Sequence, residues 1–380
     1  MDNNNFFREH LLRWFAQNSR PLPWKGERDP YKIWLSEIIL QQTRVEQGLP
    51  YYQKFIERYP TVGQLADAPE DEVLKLWEGL GYYSRARNLH TTAKRIAGEL
   101  GGKFPSTYED IRALKGVGDY TAAAIASFAF GLPYAVLDGN VFRVLARFFG
   151  IATPTDTSAA KKEFAALAGA LLDPSRPGDF NQALMDFGAT HCTPQQPKCP
   201  ACLLRTHCAA FQQNRVAELP VRSKGVVKKD RYFVYLVAQY KGDIFVRKRT
   251  GKDIWRNLWE FPLLELPVFP ADHRELEAVI WSNFYPEKAT GTNNATLPPR
   301  EYGAKIDSIS RPYRQTLTHR IVTAVFCEIF FPDSTPAEVF EKQLFENCLR
   351  MSRPELKKNI AVPRVIDWYL QESALTLTFN

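Results

Sequence analysis

Residues 113–149 read ALKGVGDYTAAAIASFAFGLPYAVLDGNVFRVLARFF, and this stretch decides the fold. It opens on a turn, Leu114-Lys115-Gly116-Val117-Gly118, runs on as an Ala-rich helical segment and reaches Val136-Leu137-Asp138-Gly139-Asn140. Glycines at 116 and 118 allow backbone conformations closed to other residues and leave the first N–H groups of the next helix pointing outward. A phosphate can lie against such N–H groups and the positive end of the helix dipole without help from any side chain. An ordinary helix-turn-helix with a glycine turn gives the same pattern. Asp138 separates the two readings, because a carboxylate beside Val136 and Leu137 is costly unless it is paired, caps a helix or is used.

Moving outward, 380 residues suggest two domains. Hydrophobic residues at 45% and charged residues at 24% describe a soluble globular chain. No apolar run is long enough for a bilayer, and MDNNNFFREH lacks the cationic and apolar regions of a secretory signal, so a cytoplasmic protein with no membrane partner is expected. The net charge of +7 and a pI near 9.0 permit a polyanionic partner. Residues 1–220 hold 25 Lys and Arg against 23 Asp and Glu, a net of +2, and the remainder holds 24 against 19, a net of +5. If the first half binds DNA, it must do so through a local patch and backbone N–H groups.

The first 215 residues read as successive helices. Phe6, Phe7, Leu11, Leu12 and Phe15 repeat at helical spacing, and Arg20-Pro21-Leu22-Pro23-Trp24 forces an extended loop. A helix over 33–47 would place Glu37, Gln41 and Arg44 on one stripe. That stripe is either a wet face or, because Trp34 and Ile38 surround Glu37 with apolar bulk, a setting that raises a carboxyl pKa and makes a general acid. The loop Gly79-Leu80-Gly81-Tyr82-Tyr83-Ser84-Arg85-Ala86-Arg87 combines aromatic and basic groups suited to bases and phosphates, although tyrosines also fill plain packing turns. Further helices are expected over 87–99, 107–114, 120–130, 141–149, 159–172 and 180–188. A basic linker over 216–230 follows, and then a second domain, 231–370, of α+β type. Its strands are expected over 231–239, 244–247, 261–266 and 321–331, and its helices over 271–283 and 336–346.

Four of six cysteines, Cys192, Cys199, Cys202 and Cys208, follow the pattern Cys-x6-Cys-x2-Cys-x5-Cys. Four thiolates in one short segment can enclose one metal centre in a reducing compartment. Zinc sites usually present two closely spaced cysteine pairs, and only Cys199 and Cys202 fit that spacing. The wide outer spans suit a cuboidal 4Fe-4S cluster better, with zinc as the alternative. Cys327 and Cys348 stand alone in apolar surroundings and read as small hydrophobes.

Taken together, these pieces resemble helix-hairpin-helix base-excision glycosylases with an iron-sulfur cluster, most closely the MutY family of adenine DNA glycosylases. The resemblance rests on LSEIILQQTRVEQ (35–47), GLGYYSRARNL (79–89), LKGVGDYTA (114–122), LDGNVFRVLAR (137–147) and the cysteine segment, 192–208. It implies a mainly α glycosylase domain over 1–215 carrying the cluster, and a Nudix-like C-terminal domain, for which WRNLWEFP (255–262) and TLTHR (316–320) look like signature pieces. The implied activity is removal of adenine mispaired with 8-oxoguanine or guanine from double-stranded DNA, by a monomer. A base inside a duplex cannot be reached, so it must be flipped out.

The resemblance assigns Glu37 as the acid that protonates adenine N7, Asp138 as the carboxylate facing the sugar, as in retaining glycosidases, and Tyr120 and Asn140 as helpers. DNA contacts fall on Gln41, Gln42, Thr43, Leu80, Tyr82, Ser84, Arg85, Arg87, Gly116 and Gly118, with Gln42 and Tyr82 at the intercalating positions. Trp24, Lys25 and Gln182 would line the adenine pocket, and Leu317, Thr318 and His319 would read 8-oxoguanine. Several positions depart from the family pattern. Lys115 stands where the wider superfamily favours proline, adding a phosphate contact or loosening the turn. Tyr120 occupies the place of the Schiff-base lysine of endonuclease III-like enzymes, so release of an abasic site without β-elimination is expected. Leu317 and Thr318 replace the usual phenylalanine and serine. Other readings are an endonuclease III-like lyase on oxidised pyrimidines, against which Tyr120 speaks, and a silent DNA-binding cluster protein, which has no use for both Glu37 and Asp138.

Overall fold

In the computed structural model, residues 2–223, 225, 227–284, 303–336, 345 and 347–377 are described. Contacts divide the chain into two compact units, Met1–Ala68 with Arg85–Gly225, and Pro69–Ser84 with Val226–Asn380. No helix of the described residues is long and apolar enough to cross a membrane.

The first unit is helical: α1 (Asn3–Asn18), α2 (Pro30–Leu40), α3 (Val45–Arg58) and α4 (Val62–Asp67) precede α5 (Glu70–Leu76), which belongs to the second unit. Then come α6 (Ser84–Gly98), α7 (Tyr108–Arg112), α8 (Asp119–Phe130), α9 (Gly139–Phe149), α10 (Ser158–Leu171), α11 (Pro177–Thr190) and the short α12 (Ala209–Gln212). Its main core gathers Phe7 and Leu11 of α1, Val144 and Leu145 of α9, Phe164 of α10 and Phe180, Leu184 and Phe187 of α11, all nearly inaccessible. Burying side chains of this size is worth roughly 1.5–3 kcal/mol each, which is what holds short helices that would be marginal alone.

The expected helix over 33–47 is in fact two, α2 and α3, with the break at Gln41 to Arg44. The cause is tertiary. Arg85 Nη1 donates to the carbonyls of Ile38 (3.0 Å), Ile39 (2.9 Å) and Gln41 (2.5 Å), so a buried guanidinium takes the acceptors that another helical turn would use. Glu37, Gln41 and Arg44 therefore do not share a stripe.

The second unit is built on a sheet of order β3-β2-β1-β7-β5, with β1 (Lys229–Tyr240), β2 (Asp243–Lys248), β3 (Trp259–Glu260), β4 (Leu263–Leu266), β5 (Lys305–Ile309), β6 (Tyr313–Thr316), β7 (Arg320–Phe330) and β8 (Leu349–Met351). The central pair, β1 and β7, is parallel, and the remaining pairs are antiparallel. β1 is buried on both faces. Phe233, Tyr235 and Val237 look toward α15 (Arg364–Leu377) and the preceding α14 (Arg353–Asn359), while Val234, Leu236 and Ala238 look toward α13 (His273–Phe284). The expected strand over 261–266 is shorter, β4 beginning at Leu263 after Pro262, which cannot donate to the ladder. The expected helix over 336–346 falls almost wholly outside the described residues.

The α5 segment is fastened to this sheet unit by polar contacts. Asp71 pairs with Lys248 Nζ at 2.7 Å, Glu70 accepts from Asn257 Nδ2 at 2.5 Å, Glu78 accepts from the Val362 amide at 3.0 Å, and Lys75 Nζ donates to the Ile360 carbonyl at 3.1 Å.

Candidate active site and cysteine centre

Asp138 ends the loop between α8 and α9 and caps α9, its Oδ1 accepting from the Val141 amide at 2.7 Å. Asn140 Nδ2 donates to the other oxygen at 2.7 Å. Arg143 Nη2 in turn donates to Asn140 Oδ1 at 2.7 Å and to the Gly188 carbonyl at 2.7 Å, and its Nε donates to the Cys192 carbonyl at 2.8 Å. Gly188 is required for this approach, since a Cβ there would meet Asn140 Cβ at 2.7 Å. The loop before Asp138 is held by Asn181, whose Oδ1 accepts from the Val136 amide (3.1 Å) while its Nδ2 donates to Ser127 Oγ (2.9 Å) and the Tyr134 carbonyl (2.8 Å).

Glu37 sits on α2 with Trp34 and Ile38, themselves buried, along the same helix. Burial raises its pKa to about 7, the Tyr120 hydroxyl pulls the other way, and the nearby Asp138 charge adds to the rise. Tyr120, from α8, is held well above the usual phenol range by burial and by both carboxylates, so it stays a neutral donor. Its hydroxyl also approaches Met185 Sδ of α11 at 3.9 Å. Burial pushes Asp138 up as well, but the Val141 amide and Asn140 pull it down. The two carboxyls thus share one site with unequal donor sets: burial favours the proton on both, and at Asp138 the hydrogen bonds from Val141 and Asn140 work against it.

One turn of α11 before Met185 lies Gln182, and beside it Asp186, which is fully buried. Asp186 accepts from Arg20 Nε (3.0 Å) and Nη2 (2.8 Å), from Lys25 Nζ and from Gln182 Nε2 (3.3 Å). Burial lowers the Lys25 pKa, and the Asp186 hydrogen bond opposes that. Trp24 packs edge-on against Tyr52 at 5.2 Å.

The hairpin between α7 and α8 contains Gly116 at φ +83°, and a Cβ there would meet Asn88 Cβ at 2.8 Å. Gly118, the N-cap of α8, has φ −95°, which any residue can adopt; what its missing side chain leaves is open space over the amides. Gln42, at the α2–α3 break, is exposed with φ +56°. Gln41 Nε2 reaches Thr121 Oγ1 at 3.2 Å, and Thr43 is half-buried. Arg85, expected at DNA, is instead turned inward as described above, since its guanidinium is committed to carbonyls and to Thr43. Ser84 is exposed at the start of α6, and Arg87 is half-buried.

Within the second unit, Leu80 is buried, and Tyr82, at φ +48° and 48% exposed, has its hydroxyl 3.1 Å from Thr318 Oγ1. Thr318 and His319 are exposed on the tight turn between β6 and β7, closed by the Leu317 amide donating to the Arg320 carbonyl at 2.8 Å, while Leu317 packs on the sheet core.

Cys192, Cys199, Cys202 and Cys208 line one cavity of about 30 Å³ together with Val144, Phe187 and other apolar groups. None is in a disulfide. Burial pushes Cys202 up to about 12 and raises Cys199 and Cys208, a shift that a bound metal would oppose by displacing their protons. Buried Arg147 laces the segment, its Nη1 lying 2.8 Å from the Thr193 carbonyl and 3.4 Å from Cys192 Sγ. Among the described residues, no three His, Cys, Asp or Glu side chains are drawn together tightly enough to hold a single ion. A donor set of four thiols around one dry cavity, with a guanidinium against one sulfur, fits a thiolate-bound cluster.

Sequence reading missed Arg20, Asn181, Asp186 and Arg143. The one available signal was polar Asn181 on the apolar face of the helix around 180–188.

Residues 35–168 match the HhH-GPD superfamily of base excision DNA repair proteins. The adenine DNA glycosylase of Buchnera aphidicola subsp. Baizongia pistaciae (strain Bp) is 40% identical over 263 residues, covering 67% of this chain and 73% of that one. That of Rattus norvegicus is 46% identical over 226 residues, covering 56% of this chain and 44% of the rat protein. Among solved structures, a thermostable thymine-DNA glycosylase is similar over 56% of this chain and 97% of its own, with a TM-score of 0.52 at 32% identity. The chain belongs to the MutY family of adenine DNA glycosylases, within the helix-hairpin-helix base-excision repair superfamily.

Proposed function

We propose that the protein excises adenine mispaired with 8-oxoguanine or guanine from duplex DNA and leaves an abasic site. The observation that carries this reading is the pair of carboxyls, buried Glu37 and half-buried Asp138, with unequal donor sets and both acting on Tyr120. Glu37, near neutrality, delivers a proton to N7 of the flipped base and makes adenine a neutral leaving group. Asp138, fixed by Val141 and Asn140, meets the cationic charge that develops on the sugar, by electrostatic stabilisation or a transient covalent bond, before water completes hydrolysis.

Selection of adenine is supported by Gln182. Its amide nitrogen faces the Asp186 carboxylate, an acceptor only, so its oxygen is the atom left for the base. An acceptor there suits the 6-amino group of adenine and opposes the 6-oxo group of guanine. Trp24 and Lys25 complete that wall. The hairpin amides at Gly116 and Gly118 hold the backbone; in the helical unit Gln42 is the intercalating residue, with Gln41, Thr43 and Arg87 as further DNA contacts, and in the second unit Tyr82 has that role, with Leu80 and Ser84. In the sheet unit, read as a Nudix-like 8-oxoguanine reader, Leu317, Thr318 and His319 are the contact residues. The four cysteines would hold a 4Fe-4S cluster, which supplies a structural cross-link for the segment 192–208. Tyr120 offers no amine for a Schiff base, so β-elimination has no route.

The test is single-turnover incubation with duplexes holding adenine opposite 8-oxoguanine, guanine or thymine, with and without alkali. Adenine release from the first two, with strand breaks only after alkali, is expected. No release from the first duplex sinks the reading, and nicking without alkali replaces it by a lyase. A colourless protein containing zinc overturns the cluster.

A further inference from the structure

We propose that a basic depression beside the hairpin, lined by Thr91, Thr92, Lys94, Arg95, Glu99 and Lys115, is an additional binding site for DNA backbone phosphate, distinct from the hairpin amides. The inference rests on the DNA glycosylase reading above. The depression encloses about 410 Å³ between the second half of α6 and the turn that leads into α8. Its frame is rigid: buried Thr92 donates from Oγ1 to the Lys115 carbonyl at 2.8 Å, and Arg95 Nη1 donates to the Ala113 carbonyl at 3.3 Å. Three cations face one carboxylate, Glu99, which pairs with Arg95 at 3.1 Å. Lys94 and Lys115 are exposed and have no ion-pair partner among the described residues.

The hairpin itself makes this patch necessary. Asp119 occupies the first turn of α8, its side chain 82% exposed, at the positive end of the dipole where a phosphate would arrive. Arg112, 2.5 Å away, cancels that charge and adds none. The amides of the turn can therefore align a phosphate, but the ion pair beside them adds no net charge that would draw one in. With residues 1–220 carrying a net charge of only +2, long-range attraction has to come from a local excess of cations. Lys115, at the start of the turn, and Lys94, on α6, supply it, and lysine on a flexible stem suits a point contact with phosphate.

Each neutralised phosphate contributes about 0.9 to the slope of log affinity against log salt. The full-length protein is titrated with a duplex holding an abasic-site analogue opposite 8-oxoguanine, across a series of potassium chloride concentrations. The double variant K94Q/K115Q is expected to lose between about one and two units of slope relative to wild type. A matched double variant on α10, K161Q/K162Q, removes the same charge from exposed positions of the same unit and is expected to keep the wild-type slope and adenine excision rate. Thermal melting establishes that each variant is folded. Equal slopes for wild type and K94Q/K115Q overturn the site, and an equal loss in both double variants replaces it by a diffuse field. Failure of the wild type to release adenine opposite 8-oxoguanine is a separate result that removes the functional reading itself.

Discussion

Glu37 in the helical unit and Glu260 in the sheet unit are buried to nearly the same degree, 5% and 2% exposed, and burial raises the pKa of both. Their surroundings differ. Glu260 lies between Arg249 at 2.6 Å and Arg247 at 3.4 Å, and Arg249 also bonds Asp253, which pairs with Arg231. Glu37 has no cation partner among the described residues; it faces a phenol and a second carboxylate. A carboxylate enclosed by guanidiniums is a fixed charge that organises a strand end, β3 against β2. One enclosed by apolar groups and another acid holds a proton that it can give away. The presence or absence of countercharge, more than depth, separates structure from chemistry here.

Substitution tests that contrast directly. Glu37→Gln should lower single-turnover adenine excision by about 10²- to 10⁴-fold, the usual worth of a general acid, with DNA affinity retained. Glu260→Gln should leave excision by the folded protein near wild type and cost about 3–5 kcal/mol in denaturant unfolding, because Arg249 loses a buried partner. If Glu260→Gln abolished excision without destabilising the fold, the comparison would fail.

The next effect is in pH. The folded pKa of Glu37, about 7, stands above its ordinary 4.5, so the native state keeps a proton that the unfolded chain has released. The associated stabilisation is complete below pH 4.5 and is lost as pH rises through 7, an amount of about 3 kcal/mol. Glu37→Gln should therefore unfold at higher denaturant than wild type at pH 8, with the difference shrinking toward pH 5. The smallest change sharpens the assignment: Tyr120→Phe removes the hydroxyl that lowers the Glu37 pKa, so the alkaline limb of the excision rate should move to higher pH. A limb that stays in place would detach Tyr120 from the acid.

Much of this is legible in the sequence alone. Glu37 amid Trp34 and Ile38, Asp138 in an apolar run and the cysteine spacing are local features, and local features survive in sequence. The α2–α3 break was hidden because its cause, Arg85, is more than forty residues away. Asp186 was hidden for the same reason, since an acid on an amphipathic helix reads as its wet face until Arg20 and Lys25 are brought to it across 166 and 161 residues. α14 is readable only from its ends: Ser352 and Glu355 form a capping box around Pro354, but the helix is too short to show an apolar period.

The fastening of α5 to the sheet unit also constrains how the protein is made. Synthesis runs from the N-terminus, so Glu70 and Asp71 leave the ribosome long before Asn257 and Lys248, which lie 187 and 177 residues later, and Glu78 waits 284 residues for Val362. A seven-residue helix has no stability of its own to wait with. The sheet unit therefore cannot be finished as a contiguous piece of nascent chain. Its completion requires closure of a loop that spans most of the helical unit, so the contact of Tyr82 with Thr318 has to wait until synthesis has passed residue 318.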